Sequence, residues 1–222
     1  MSDETETDGI TQDDRSERRT LISVLLINFS QALLAGIVGF IAQSTGLLGA
    51  GLDNLGDSLV YFASLYAVGR SATAKSRVAK LSGVLLVAMA IGLVIDVIRR
   101  FISGSDPVGW AMIVVAIINA ATNLVCLRLL RSHRKEGVHL KASWIFTTND
   151  MIANLGIVLS GAAVILFQSQ VPDLVIGVIV AGIVVKGGLE ILSDAREAKQ
   201  KSKSEAAKEG RKDKENDGQA VS

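Results

Sequence analysis

The sequence predicts an all-α membrane protein with six transmembrane helices. Hydrophobic residues make up 49% of the 222, although 20% are charged. Those charges concentrate in residues 1–20 and 195–222, so the middle of the chain reads as a series of apolar runs. An α-helix needs roughly 20 such residues to cross a hydrocarbon core of about 30 Å. Six runs meet that measure, approximately residues 21–42, 46–68, 81–98, 108–130, 142–167 and 172–192. The expected organisation is a disordered cytoplasmic tail over residues 1–20, a six-helix transmembrane domain over 21–194 and a charged cytoplasmic tail over 195–222. A net charge of +1 gives no reason to expect a nucleic-acid partner.

Ahead of the first run the chain is acidic and polar through Asp8, and Arg15, Arg18 and Arg19 come late. It therefore lacks the cationic start and early apolar core of a cleavable signal peptide, and the first run is read as a retained helix. Asn28 and Gln31 inside it suit hydrogen bonds between helices.

The second run holds Leu52-Asp53-Asn54-Leu55-Gly56-Asp57-Ser58. Four residues are about one helical turn, so Asp53 and Asp57 project from one face. An ionised Asp at the bilayer centre costs roughly 2.5 to 3.5 kcal/mol, and two on adjacent turns also repel, so a compensating cation is expected between them. Gly46, Gly49, Asp53, Asp57, Val60 and Ser64 recur at three- and four-residue spacing, a stripe that faces other helices or water rather than lipid.

Asp96 near the end of the third run suits a partner for Arg99 or Arg100. In the fourth, Asn119 and Asn123 lie one turn apart, as interhelical hydrogen-bonding residues do. The single cysteine, Cys126, sits among apolar residues, which fits a core thiol and excludes an intrachain disulfide. His133 and His139 fall in the following loop with the wrong spacing for one helix face; capture of incoming metal is the functional role open to them.

The fifth run repeats the polar stripe with Ser143, Thr147, Asp150, Asn154 and Gly161, widened by Thr148 and Asn149. Asp57 lies roughly 18 Å, and Asp150 roughly 12 Å, from the cytoplasmic ends of their runs, close enough in depth to converge on one site. Three carboxylates with the amide oxygen of Asn154 or Asn149 offer oxygen ligands to a divalent ion. The sixth run follows after only Gln168-Ser169-Gln170-Val171, so the two form an antiparallel hairpin. Lys186 and Glu190, one turn apart, suit an ion pair or snorkelling. The Lys, Glu, Ser and Ala that follow cannot bury a core, so a short helical extension fraying into disorder is expected, solvated or touching membrane lipid.

Orientation follows from the links. Arg70, Lys75, Arg77 and Lys80 lie between runs two and three, and Arg131, Arg134, Lys135 and Lys141 between four and five. The positive-inside rule places both links, and with an even span count both termini, in the cytoplasm. Only Arg99 and Arg100 stand against it.

These residues resemble the cation diffusion facilitators, bacterial cation-efflux transporters that exchange divalent metal for protons. The likeness reaches from about Leu21 to Ala195. It rests on the topological place of Asp-x-x-x-Asp, on Ser44-Thr45-Gly46-Leu47-Leu48 and Ser64-Leu65-Tyr66-Ala67-Val68-Gly69-Arg70 around it, and on Asn149-Asp150-Met151-Ile152-Ala153-Asn154-Leu155-Gly156. The resemblance implies a cation-efflux transmembrane domain whose site takes two residues from span two and two from span five. Asp53, Asp57 and Asp150 match that pattern. Phe146 stands at the fourth position, where the family carries His or Asp, and Asn154 is the expected replacement. The resemblance also implies a short form without the soluble C-terminal domain of many members. Any homodimer would then form through membrane helices, along Gly177, Gly182, Gly187 and Gly188.

The expected function is export of divalent metal of the zinc, cobalt and cadmium class across the inner membrane by proton antiport. Metal and protons are then substrates, and no resident cofactor is expected. A non-transporting metal-binding partner or sensor on the same fold is the alternative that Phe146 raises. An enzyme is not expected: His-Glu-x-x-His, Gly-x-Ser-x-Gly and an Asp and Lys pair suited to proteolysis are all missing.

Overall fold

The computed structural model describes residues 12–41, 45–103, 110–169 and 171–220. The acidic stretch through Asp8, the start of the fourth expected span and Gln170 lie outside the described residues. Six helices account for most of the rest: α1 (Gln12–Ile41), α2 (Thr45–Ala67), α3 (Ala72–Ser103), α4 (Trp110–Leu130), α5 (Val138–Phe167) and α6 (Val171–Ala220). Helix is the secondary structure that satisfies every backbone polar group within one segment, which lipid requires. Five of the six are long and apolar enough to cross a membrane on their own composition. The exception is α2, whose Asp53, Asn54 and Asp57 cancel its apolar content, and it lies against α1 along its length. The chain is thus a multi-pass membrane protein. Helix α2 ends at Gly69, whose φ of +73° admits a left-handed cap.

Two boundaries differ from expectation. Residues 12–20, expected as disordered tail, are the first turns of α1. Asp13 and Asp14 occupy the first turn, where carboxylates favour the helix dipole, and the turns are propagated from the apolar segment that follows. At the other end α6 continues through Ala220, because the tail is rich in Ala, Glu and Lys, all strong helix formers.

The basic links after α2 and after α4 lie at the same end of the bundle as the start of α1. Arg18 donates to the Val68 carbonyl at 3.5 Å, and the Ser16 hydroxyl lies 2.9 Å from His133 Nε2. This is called the basic end below.

Helix α3 packs along α6, α1 along α2, and α5 sits between α4 and α6. The α3–α6 seam is close because Gly188 faces α3: a Cβ there would lie 2.6 Å from Val87 Cγ2 and 3.1 Å from its backbone nitrogen. Gly177 meets Val97 of α3 and Gly187 meets Asn149 of α5 in the same way. Three of the four glycines expected to offer a dimer face are therefore used within the chain; only Gly182 opens on free space. Two apolar clusters flank the bundle's middle. One joins α3, α5 and α6 around Leu86, Phe146 and Ile191, and the other joins α1, α2, α4 and α5 around Leu21, Tyr61 and Leu130.

Candidate metal centre

Helices α2 and α5 carry the acids to a common level. At about 1.5 Å per residue, Asp57 lies roughly 15 Å from the last residue of α2, and Asp150 roughly 18 Å from the first of α5. Helix α5 begins at Val138, so Asp150 sits deeper than the expected span boundary implied.

Asp57 is 1% exposed and Asp150 7%. Asp53 is half-buried. The Asp53 and Asp150 carboxyl groups lie close to each other, and Asp57 lies within the field of both. Asp150 is further held by donors: Asn123 of α4 donates to its Oδ2, and Asn154 donates to the same atom at 3.3 Å. Asp57 differs from both neighbours. Neither of its carboxylate oxygens has a hydrogen-bond partner, although both are buried. A buried acceptor left unpaired costs about 1 to 3 kcal/mol, and more when charged. Among the described residues no three His, Cys, Asp or Glu side chains stand close enough together to hold a metal ion in this arrangement.

Hydrogen bonds between helices surround the acids. Tyr61, one turn beyond Asp57, meets Thr147 of α5 at 2.7 Å, and Ser64 meets Ser143 at 2.8 Å. On the α1–α4 side Asn54 and Gln31 both donate to Asn119 Oδ1, and Gln31 also donates to Thr122 at 2.9 Å. Asn119 and Asn123 are thus both the interhelical bonding residues expected, and Asn123 makes its bond at the acids. Thr147 belongs to the polar stripe expected of the fifth run, whereas Tyr61 is a site residue that sequence reasoning missed. The available signal was its spacing, four after Asp57, which places it on the acid-bearing face.

Asn154 reaches Asp150 through its amide nitrogen, so here it is a donor. Ligation through its oxygen needs the amide turned over. Phe146 is fully buried within the apolar α3–α5–α6 cluster.

The remaining polar residues settle elsewhere. Asp96 bonds Arg99 at 2.8 Å, as expected. Cys126 is buried and receives the Asn28 amide at 3.5 Å. Of the two readings for Lys186 and Glu190, the ion pair is not formed, since Lys141 takes Glu190 at 3.8 Å and Asp194 at 2.7 Å, and Lys186 is exposed, which leaves snorkelling. The histidines are not exposed metal catchers. His133 is buried and held by Ser16, Thr20 and Ser132; His139 is in the first turn of α5, fully buried, 3.9 Å from Glu17 of α1. Both moved inside because α1 extends past the membrane boundary and covers the link.

Residues 21–198 match the profile of the cation efflux transmembrane domain. Among curated proteins, a cadmium, cobalt and zinc/H(+)-K(+) antiporter of Bacillus velezensis is 24% identical over 190 residues, covering 78% of this chain and 61% of that protein. Its namesake in Bacillus subtilis is 19% identical over 201 residues, 84% of this chain and 65% of the relative. The zinc transporter ZitB of Yersinia pestis is 23% identical over 200 residues, again 84% of this chain and 64% of the relative. The chain spans slightly under two thirds of the length of these relatives.

Proposed function

The chain belongs to the cation efflux family, and from that premise we propose that it exports divalent metal ions of the zinc, cobalt and cadmium class in exchange for protons. The observation that carries the proposal is Asp57, a buried carboxylate with two unpaired oxygens beside Asp53 and Asp150. An isolated buried carboxylate is costly; a divalent ion or a proton relieves the cost. The relatives named for metal and proton exchange support the same assignment.

In this mechanism Asp53, Asp57 and Asp150 supply the charge, and Asn154 turns its amide oxygen inward as the fourth ligand. Carboxylates this close in a water-poor site repel one another when all are ionised, so without metal a proton is shared among them. A metal ion that takes these carboxylates displaces that proton, so loading metal from one side and protons from the other couples the two flows. Asn123 keeps its hold on Asp150 Oδ2 and leaves Oδ1 for the ion. We place the protein in the inner membrane with the basic end in the cytoplasm, on the strength of the two basic links. An enzymatic role has no support in the family.

Reconstituted in liposomes with a pH-sensitive dye inside, the intact protein is expected to move protons against zinc, cobalt or cadmium. Asp57→Asn is expected to insert normally and move neither. Zinc binding without any coupled proton flux in the intact protein would instead identify a metal-binding partner that does not transport.

A further inference from the structure

A groove of about 820 Å³ runs between α5 and α6 at the basic end, on the side of α5 turned away from the acids. Its floor is apolar, formed by Trp144, Ile145, Ile152 and Ile183. Lys135, Lys141, Lys186 and Lys201 line it with Arg134, whose guanidinium stands 4.9 Å from the centre of the Trp144 ring. Glu190, Asp194 and Glu197 share the wall, and Lys141 is bonded to the first two of them. Five bases against three acids leave the groove net positive, which is the wrong sign for a vestibule that admits metal ions.

Depth and polarity together describe the occupant. From Val138 to Ile152 the groove follows α5 for roughly 21 Å, whereas one hydrocarbon leaflet is about 15 Å. It therefore starts above the membrane boundary, where a headgroup lies, and descends through a leaflet. Lys186 stands roughly 9 Å inside the expected end of its span and is exposed, so its ammonium must reach up toward phosphate level along the groove. A soluble anion would leave the isoleucine floor uncovered, and a neutral lipid would leave the lysines unmatched.

We propose that this groove is a binding site for an anionic glycerophospholipid, with the phosphate drawn between Lys135 and Lys186, Lys201 about 22 Å farther along α6 adding positive charge on the headgroup side, and an acyl chain on Ile145, Ile152 and Ile183. The site lies apart from the acids, so lipid retention in metal-free protein tests it independently of transport.

The experiment is native mass spectrometry of the detergent-purified chain titrated with phosphatidylglycerol or phosphatidylcholine of equal chain length. The intact chain retains phosphatidylglycerol in preference. Each lysine contributes about fivefold, so Lys135→Gln, Lys186→Gln and Lys201→Gln combined should erase the preference, and Lys186→Arg should keep it. Ile183→Trp, which fills the floor without changing charge, should weaken retention of both lipids. Equal retention of the two lipids by the intact chain overturns the proposal, as does an unchanged preference in the triple variant. Two further results also overturn it: displacement of phosphatidylglycerol by millimolar glycerol 3-phosphate, which means a phosphate site alone, and ready disulfide-linked dimers of Ile183→Cys in vesicles, which mean a second copy fills the groove.

Discussion

The α3–α6 seam and the α2–α5 seam solve the packing of helices in lipid by opposite means. Helices α3 and α6 approach through Gly188 and interlock with Val87, Leu86 and Ile191, with Ser76 donating to the Ala195 carbonyl toward the basic end. Helices α2 and α5 meet through Tyr61 and Thr147, Ser64 and Ser143, and a set of acids of which Asp57 is unpaired. Lipid offers no hydrophobic force between helices, so the first seam depends on shape and the second on hydrogen bonds. A seam of glycine and valine has one good arrangement. A seam of hydroxyls and carboxylates can exchange partners, as a site that alternately holds metal and protons requires.

The strongest way to separate the two seams is Asp150→Asn. Amide replaces carboxyl at nearly the same size, so metal-driven proton flux should fall at least a hundredfold while helix content and insertion persist or improve, because a central Asp costs roughly 2.5 to 3.5 kcal/mol. Vesicle flux and circular dichroism measure the two halves of that expectation. Gly188→Ala does the reverse. Its methyl group would meet Val87, including a rigid backbone nitrogen at 3.1 Å, and overpacking of this kind costs about 1 to 3 kcal/mol. The midpoint of thermal unfolding in detergent should drop, with residual metal binding by the folded fraction.

Tyr61→Phe removes one hydroxyl from the polar seam. Thr147 keeps its bond to the Ser143 carbonyl at 2.7 Å, so the loss should be near 1 kcal/mol, read in the same unfolding experiment. Phe146→His sharpens the comparison where the two seams meet, since Phe146 lies one turn from Asp150 yet packs toward α3 and α6. Imidazole suits zinc better than manganese, so this variant should raise the zinc-to-manganese binding ratio by several-fold over Phe146→Leu. Equal ratios would mean that position 146 does not face the ion. The smallest effect is expected from the tail: truncation after Lys203 should leave flux within a few-fold, because the sequence beyond it has almost no large apolar residue and no ligand cluster.

Asp53, Asp57 and Asp150 were legible in the sequence because an acid in an apolar run has a cost visible without coordinates, and because helical spacing assigns it to a face. Six helices were legible for the same reason. What the chain does not encode locally is which face meets which neighbour. Asn119 and Asn123 are identical in type and one turn apart, yet one ties α1, α2 and α4 together while the other grips Asp150. The glycines of α6 carried a correct message of close approach but not its partner, which is α3 and α5 rather than a second copy. The sequence placed His133 and His139 in a loop and could not show that both are buried, because that depends on α1 running on past the membrane boundary and closing over them. Tertiary contact decided each of these.

Proton release on metal binding tests the central claim most directly. Zinc is added to detergent-purified protein in weak buffer with a pH indicator, and protons released per zinc bound are counted. The account predicts release from the intact chain, and none above background when Asp53, Asp57 and Asp150 are all changed to Asn. Undiminished release from that triple variant would contradict it, because the protons would then come from somewhere other than the acids shared by α2 and α5.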